Sequence, residues 1–246
     1  MKLAESPATR GNALLEAFPA EVRQQLDIHS ENYKSHVQLV EGDSPPHYLY
    51  FPHHGTVISM TRTTETGATV EVGIIGSEGV AAVQALLAPK SVGSDGVVQI
   101  AGVASRIPLD QIRRALDENA VVRDHLLACT GAFLAQVSQH AVCNRLHTIE
   151  QRLAKWLLGV RDRIDSDQVD LTHDFLSHML GIRRSGVTIA IGALALDGLL
   201  THGRNSLTIR DREGLEARAC ECYCVIRDAT PLLAGVEPGL RAHESH

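Results

Sequence analysis

The hydrophobic pattern divides the chain into a strand-rich part followed by a helix-rich part. Between residues 36 and 108, short runs rich in Val, Ile and Thr are separated by Gly, Pro, Ser and Asp; the runs are VQLV, YLYF, TVISMTRT, ATVEVGII, GVVQI and VASRI. Such runs are typical of short antiparallel strands. We therefore predict an antiparallel β-roll of the jelly-roll type, preceded by one or two short helices within residues 11–34, where apolar side chains recur at helical spacing.

After Pro108 the apolar spacing becomes helical for about 50 residues. Six positions in this part are separated alternately by three and four residues, which is the spacing of a coiled-coil seam. We call them the heptad seam: Leu127, Thr130, Leu134, Val137, Ala141 and Asn144. A long helix with such a seam can pair with its twin across a two-fold axis, so we predict a homodimer with its dimerisation helix in residues 117–145. The alternative is that the stripe packs on the β-roll of its own chain.

A second amphipathic helix is predicted for residues 147–164, and its pattern ends at DSDQVD. Its expected buried face is Ile149, Leu153, Trp156, Leu157 and Val160. The charge balance also changes near its start. Residues 1–144 hold 10 Lys and Arg against 15 Asp and Glu, residues 145–218 hold 11 against 10, and the remaining residues hold 2 against 4. The two changes together place a domain boundary near residues 140–148, and the segment after it would repel a phosphate backbone least.

Residues 171–194 have the pattern of two helices joined by a tight turn. Thr172 is placed to cap the first helix, and Gly181 permits a sharp turn after it. The expected buried positions are Phe175, Leu176, Met179 and Leu180 in the first helix and Val187, Ala190, Ile191 and Leu194 in the second. Polar and basic side chains remain near the outward start of the second helix: Arg183, Arg184, Ser185, Thr188 and Ile189. This arrangement predicts a helix-turn-helix whose second helix reads the major groove of DNA.

Residues 198–209 predict two short strands around a Gly-Arg-Asn turn, which is the pattern of a wing. Arg204 at its tip is expected to contact phosphate. The alternative is all-helical packing, in which an Arg-Arg dipeptide is a solvated helix end. We predict an α+β fold with a β-roll sensor domain, a long dimerisation helix and a winged helix-turn-helix. The expected bounds are 1–116 for the roll and N-terminal helices, 117–145 for the dimerisation helix, 146–230 for the winged domain and 231–246 for a flexible tail.

The composition is that of an ordinary globular protein of 246 residues, 44% hydrophobic and 21% charged. Its net charge of −6 argues against a protein that coats nucleic acid along its whole surface. No signal peptide and no stretch approaching the ~18 apolar residues of a membrane span is apparent, so we expect a cytoplasmic protein without a membrane partner. The five cysteines form no paired spacing, which favours reduced thiols.

Four features together resemble the Crp/Fnr family of bacterial transcription regulators. They are the Glu41-Gly42-Asp43 turn, the turn ending at Glu78, the long helix, and L-T-x-x-F-L-x-x-M-L-G-x-R-R-x-x-V-T from Leu171 to Thr188. The resemblance covers nearly the whole chain and implies a homodimer that binds a small signal in the roll and a near-palindromic DNA site. RNA polymerase is then a possible further partner.

Carried over to this chain, the family pattern places Arg184 where an arginine reads guanine. It places Thr188 where small polar residues touch bases or phosphate. Ser185 and Ile189 stand where many members have glutamate and a further arginine, so the common operator of the family should not be assumed.

The resemblance also implies an effector pocket at Gly76, Glu78 and Gly79, where a glutamate holds the ribose of cyclic nucleotides in some members. An arginine for the cyclic phosphate should follow, but Lys90 is the only cation between Gly79 and Ser105, and Asp95 stands where a positive charge is expected. Cyclic AMP is therefore disfavoured, and Glu78 is better interpreted as a loop residue.

An iron-sulfur cluster is also disfavoured, whereas haem is left open as an alternative. No cysteine precedes Cys129, which argues against an Fnr-type iron-sulfur cluster. The histidines carry no haem-binding spacing; those in the roll and the long helix are His47, His53, His54, His125 and His140. The identity of the signal, the operator, and activation versus repression are left open by the sequence.

Cys220, Cys222 and Cys224 follow the wing in a segment that has a helical pattern. On one helix Cys220 and Cys224 share a face and Cys222 points elsewhere, so we predict buried or redox-sensitive thiols rather than a metal site. A zinc or redox switch is the alternative. The chain contains none of the common nucleotide-binding, hydrolase or zinc-protease motifs, so we expect no enzyme. The second functional hypothesis is a sensory β-roll module that acts through protein partners rather than DNA.

Overall fold

The computed structural model describes residues 10–87 and 93–230, and the N-terminal part of this range is a roll of two antiparallel sheets. Its strands are β1 (His29–Tyr33), β2 (Gln38–Val40), β3 (Tyr48–Pro52), β4 (Val57–Thr63), β5 (Thr69–Ile75), β6 (Asp95–Ile100) and β7 (Gly102–Pro108). One sheet has the order β1-β7-β3 and the other the order β2-β6-β4-β5. The predicted β-roll is confirmed.

The N-terminal helices are shorter than the pattern of residues 11–34 allows. They are α1 (Ala13–Glu16) and α2 (Ala20–Gln25), and a short 3-10 helix, Val83–Leu86, follows the roll's fifth strand. Residues 29–33 form strand β1 instead of helix, because their backbone pairs with β7 from His29 opposite Arg106 to Tyr33 opposite Gly102. This pairing is a tertiary contact, which overrides a weak local preference.

The remaining helices and strands follow Pro108. They are α3 (Leu109–Glu118), α4 (Ala120–Leu146), α5 (Ile149–Ile164), β8 (Gln168–Asp170), α6 (His173–Leu180), α7 (Arg184–Leu196), β9 (Leu200–His202), β10 (Ser206–Ile209), α8 (Arg212–Arg218) and α9 (Cys222–Ala229). The predicted long helix, the helix pair and the two wing strands are present. Strand β8 pairs with β10 and makes the wing sheet three-stranded. The predicted tail, residues 231–246, and Lys90 lie outside the described residues.

Helix α4 carries two apolar stripes. The buried stripe packs on the roll from Val122 to Gln136, and Cys143 at its end packs against Cys220 and Cys222. Its members are Val122, Leu126, Cys129, Phe133, Gln136, His140 and Cys143. The heptad seam lies about a quarter turn away from it around the helix. Within the seam, Leu127, Leu134, Ala141 and Asn144 are exposed, while Thr130 and Val137 are half-buried. The seam is therefore not the stripe that holds α4 against its own roll.

Helix α4 is also long and apolar enough to cross a bilayer by length and composition alone. Its best 18-residue window has a mean hydropathy of 1.3, and 22% of that window is buried. The expectation that no segment is long and apolar enough to approach a membrane span was therefore wrong. The second, exposed apolar stripe adds to the buried one and raises the mean hydropathy of the helix.

Helix α5 lies between the roll and the rest of the C-terminal part. Four of its five predicted inward side chains are buried, and Ile149 is half-buried. Arg152, Lys155 and Arg163 are buried as well, on sides that the pattern left for solvent. One hydrophobic cluster runs from Val57 and Ile74 of the roll through α5 to the helix-turn-helix, so the two parts of the chain share a core.

Candidate nucleic-acid interface and effector cavity

The turn between α6 and α7 has the geometry of a helix-turn-helix. The Thr172 hydroxyl accepts a hydrogen bond of 3.1 Å from the Phe175 N–H and caps α6. Gly181 adopts the left-handed conformation with φ of +62°. The Gly181 N–H donates to the His178 carbonyl and the Ile182 N–H to the Ser177 carbonyl, so these two bonds close the end of α6. The chain bends by 104° between the two helices, within the range of DNA-binding helix pairs.

The start of α7 presents the predicted side chains to solvent. Arg183, Arg184, Ser185, Thr188 and Ile189 are all exposed, whereas the four predicted inward residues of the helix are buried. Burial of one stripe by the core therefore determines which side faces outward. The N-terminal end of a helix also carries a partial positive charge, which favours an anion such as phosphate there.

Local contacts hold two of these side chains near the surface. The Arg184 side chain is 68% exposed and lies 3.3 Å from the Asp174 carboxylate of α6. The Thr188 hydroxyl donates to the Arg184 carbonyl at 3.1 Å and also lies 3.1 Å from His173 Nδ1. Arg183 has no ion pair with any residue in the described ranges. Both arginine side chains are thus exposed to solvent, and neither is buried in the core.

The wing lies directly after α7, and its tip is exposed. The Gly203 N–H donates to the Ser206 carbonyl at 2.8 Å, which closes the turn that carries Arg204. The Leu171 N–H donates to the Asn205 carbonyl at 2.9 Å. This bond ties the wing to the residue before the α6 cap, so the wing and the helix pair are one unit.

The predicted effector residues lie where the roll meets α5. Glu78 accepts a 2.8 Å hydrogen bond from Arg163 Nε of α5 and a 3.1 Å bond from the Gly76 N–H. Its carboxylate is thus already bound within the chain. Asp95 accepts a 2.9 Å bond from the Gly42 N–H and orders the Glu41-Gly42-Asp43 turn. Its role in this structure is to hold that turn.

A cavity of about 460 Å³ opens beside the Glu78–Arg163 pair. It is lined from the roll, α4, α5 and the segment around α9; its lining includes Glu71, Gln136, His140, Trp156, Arg163 and Tyr223. Gly79 lines a smaller adjoining space, and Gly76 lines neither. The cavity therefore lies between the roll and the C-terminal part rather than inside the roll.

Glu71 is the most deeply buried acid of the cavity, and the sequence pattern alone did not single it out. Its carboxylate accepts bonds from the Ser59 hydroxyl at 2.7 Å and from Trp156 Nε1 at 3.1 Å. Burial raises the pKa of Glu71 to about 7. The register of β4 and β5 shifts between Met60 and Thr61, which breaks simple alternation along β5 and puts Glu71 on the face of Ser59. No local spacing in the sequence therefore identified it.

The cysteine segment differs from the predicted continuous helix. Helix α8 ends at Arg218 and α9 begins at Cys222, so Cys220 lies in the connection between them. This break brings Cys220 and Cys222 together with Cys143 and His147 from the end of α4, and the ligand atoms of these four residues lie within 4.8 Å of one another. A hydrogen bond from Cys220 lowers the pKa of the Cys143 thiol to about 5. Cys224 is exposed and lies outside this group.

Comparison with known proteins supports the fold and the helix-turn-helix. The Crp-like helix-turn-helix domain matches residues 151–218, and no curated protein matches the chain. FixK2 from Bradyrhizobium japonicum is 18% identical with a TM-score of 0.67, over 78% of this chain and 98% of FixK2. Two regulators from Thermus thermophilus are also similar. One, of the CRP/FNR family, is 17% identical with a TM-score of 0.64, over 78% of this chain and 98% of its own. The other, of the CRP family, is 16% identical with a TM-score of 0.65, and the match covers 77% of this chain and 96% of that regulator.

These findings confirm the resemblance that the sequence indicated. The chain carries a Crp-like helix-turn-helix domain on the fold of the Crp/Fnr family of transcriptional regulators.

Proposed function

We propose that the chain is a homodimeric, sequence-specific DNA-binding transcription regulator of the cytoplasm, without catalytic activity. The observation that carries this proposal is the exposed basic and polar start of α7, after a left-handed turn at Gly181 and before an exposed wing. The protein is acidic overall, yet Arg183, Arg184 and Arg204 are exposed in this one region. Such a local cluster can meet a phosphate backbone and base edges while the acidic roll stays away from them.

In this proposal Arg184 contacts guanine in the major groove, and Thr172, Ser185, Thr188 and Ile189 contact neighbouring bases or phosphates. Arg183 and Arg204 neutralise phosphates and fix the position of α7 on the duplex. Asp174 would release Arg184 on binding, because an exposed ion pair at 3.3 Å contributes little to stability.

The dimer is supported by the exposed apolar stripe of α4. Leu134 is 64% exposed in the single chain, and Leu127 on the same seam is 52% exposed. Pairing the heptad seam with a second copy would remove these side chains from water, which also accounts for the high hydropathy of a helix in a protein without a membrane partner. Two copies would then place their α7 helices about 34 Å apart, in successive major grooves. RNA polymerase is a further partner if the dimer activates.

The signal in this proposal is a ligand other than cyclic AMP. Glu78 already binds Arg163, so a ribose would have to break a nearly buried ion pair. The cavity beside this pair touches both the roll and α5, and a ligand that fits one arrangement of the two better would shift the dimer toward that arrangement.

Selection of binding sites from random duplex DNA, followed by titration at several salt concentrations, tests the proposal. We expect enrichment of a near-palindromic sequence and an affinity that falls steeply with salt, because phosphate contacts release counterions. The sensory-module hypothesis predicts no enriched sequence and a cellular protein partner instead. No enrichment, with and without cell extract, would refute the DNA-binding function.

A further inference from the structure

A cysteine–histidine cluster joins the end of α4 to the connection between α8 and α9. It comprises Cys143, His147, Cys220 and Cys222; the three cysteines are buried and His147 is nearly so. Cys143 and His147 are one helical turn apart, which places both on one side of α4. Cys220 and Cys222 approach that side because the chain leaves helical conformation at Ala219.

Two distances within the cluster are close to those of a tetrahedral zinc site. Cys143 Sγ and Cys220 Sγ are 3.6 Å apart, and Cys222 Sγ and His147 Nδ1 are 3.4 Å apart. With ordinary zinc bond lengths, two sulfurs on one ion are about 3.8 Å apart, and a sulfur and a nitrogen about 3.6 Å. Three thiolates and one imidazole form one of the common ligand sets of structural zinc.

The surroundings of the cluster are also those of a metal site. His147 Nε2 lies 3.2 Å from the Glu221 carboxylate, so the ring nitrogen that faces away from the cluster can donate to an acid and leave Nδ1 free to bind metal. Gln139 donates to Cys222 Sγ at 3.1 Å. The charges of Arg152 and Lys155 act on Cys143, and both cations are buried. Two positive charges offset the single negative charge of a zinc ion with three thiolates.

We propose that Cys143, His147, Cys220 and Cys222 bind one Zn²⁺ ion, which fastens the connection between α8 and α9 to the end of α4. Binding displaces the thiol protons to solvent. Because Cys220 and Cys222 follow the wing while α4 bears the heptad seam, the ion restricts how the winged domain moves relative to the dimer helix. That consequence rests on the proposed function, whereas the metal site does not.

The test uses the full chain, stripped of metal with a chelator and titrated with zinc sulfate or cobalt chloride. We expect one equivalent of tightly bound Zn²⁺ per chain, and sulfur-to-metal charge transfer with intense tetrahedral bands for Co²⁺. Cys220→Ser removes one of three thiolates, so it should weaken the charge-transfer bands and lower the affinity for Co²⁺. The matched control Cys224→Ser, an exposed cysteine in the same segment, should leave both unchanged. Hydrogen exchange of residues 219–229 is expected to slow when Zn²⁺ is added to the wild-type chain, which needs no variant to fold.

Three results would overturn the zinc site. They are no bound metal, Co²⁺ bands and Co²⁺ affinity that are unchanged in Cys220→Ser, and a Cys143–Cys220 disulfide in freshly purified protein handled without oxidant, seen as the loss of two hydrogens in mass. None of these measurements involves DNA. A failure of zinc binding and a failure of operator selection are therefore separate outcomes.

Discussion

Arg163 of α5 donates a 2.8 Å hydrogen bond to Glu78, on the turn that follows β5 of the roll. Only 8% of the arginine side chain and 14% of the glutamate side chain are exposed. The pair therefore links the roll to the C-terminal part through a nearly buried contact. It also lines the cavity, at the position where the family resemblance predicts an effector contact.

We predict that Arg163→Met destabilises the protein strongly, because it leaves the Glu78 carboxylate buried without its partner. Removal of one member of a buried ion pair costs about 3–5 kcal/mol. Adding Glu78→Gln should restore part of the loss. Urea unfolding at fixed protein concentration gives the free energy of unfolding of Arg163→Met, of Glu78→Gln and of the double variant.

The exposed Arg114–Asp110 pair at 3.2 Å is the matched control. Asp110→Asn should cost less than about 1 kcal/mol. Equal losses at the two pairs would show that the Glu78–Arg163 pair stabilises the protein no more than an exposed pair does.

Glu71→Gln should change how stability depends on pH. Burial raises the pKa of Glu71 from 4.5 to about 7, against opposing hydrogen bonds from Ser59 and Trp156 and the charges of Lys155 and Arg163. The folded state therefore holds this proton more tightly than the unfolded state does. The stability it contributes is complete below pH 4.5 and is lost as pH rises through about 7.

Glu71→Gln abolishes that loss because glutamine does not titrate. The free energy of unfolding of the variant, relative to that of wild type, should therefore rise by about 3 kcal/mol as the pH goes from below 4.5 to above 7. Denaturant unfolding below pH 4.5 and above pH 7 gives the difference. Glu65→Gln, in the exposed turn between β4 and β5, is the control for removing one charge. A difference between Glu71→Gln and wild type that is constant with pH would contradict the burial argument.

Arg184→Ala should abolish preference for the selected operator while the protein stays folded. A bidentate contact from arginine to guanine contributes about 1–3 kcal/mol of discrimination, which is lost with the side chain. Arg114→Ala is the control, since Arg114 is equally exposed at 66% and also lies beside an aspartate. Competition titration with operator and scrambled duplexes measures the preference. If Arg184→Ala still prefers the operator over the scrambled duplex as strongly as wild type does, Arg184 does not contact the bases.

Leu134→Glu should convert the proposed dimer to a monomer, because it places a charge in the middle of the apolar heptad seam. Leu196→Glu, at the exposed C-terminal end of α7, changes a leucine that is 90% exposed and should leave the dimer intact. Sedimentation velocity without DNA gives the mass of each variant. A dimer that survives Leu134→Glu would place the interface elsewhere.

Two glycines of the helix-turn-helix should respond to alanine with opposite signs. Gly181 has φ of +62°, and a Cβ there would lie 3.1 Å from Val70 Cγ2, so Gly181→Ala should destabilise by about 1–2 kcal/mol. Gly192 lies inside α7, and a Cβ there would have no neighbouring atom within 4 Å outside the helix's own backbone, so Gly192→Ala should stabilise by about 0.5–1 kcal/mol. Thermal unfolding compares the two, and a shift of the same sign in both would argue against the left-handed turn.

Local periodicity was sufficient for most of the fold. Six strand runs, the long helix, the Thr172 cap and the Gly181 turn depend on side-chain alternation, helical spacing and backbone freedom, which are properties of neighbouring residues. The outward side of α7 followed in the same way, since four apolar residues on one stripe determine which side faces the core. Strand β1 could not be predicted, because its conformation depends on pairing with β7, which lies far along the chain.

The sequence by itself therefore determined the order of most of the elements and the exposed start of α7. Only the tertiary structure decided that Glu71 is a buried acid beside Trp156, that Arg163 binds Glu78, and that Cys220 and Cys222 meet Cys143 and His147. Each of these contacts joins residues far apart in the chain, whose distance is set by the packing of α4 and α5 against the roll. Burial and charge pairing depend on those distances, and no spacing within a short segment encodes them.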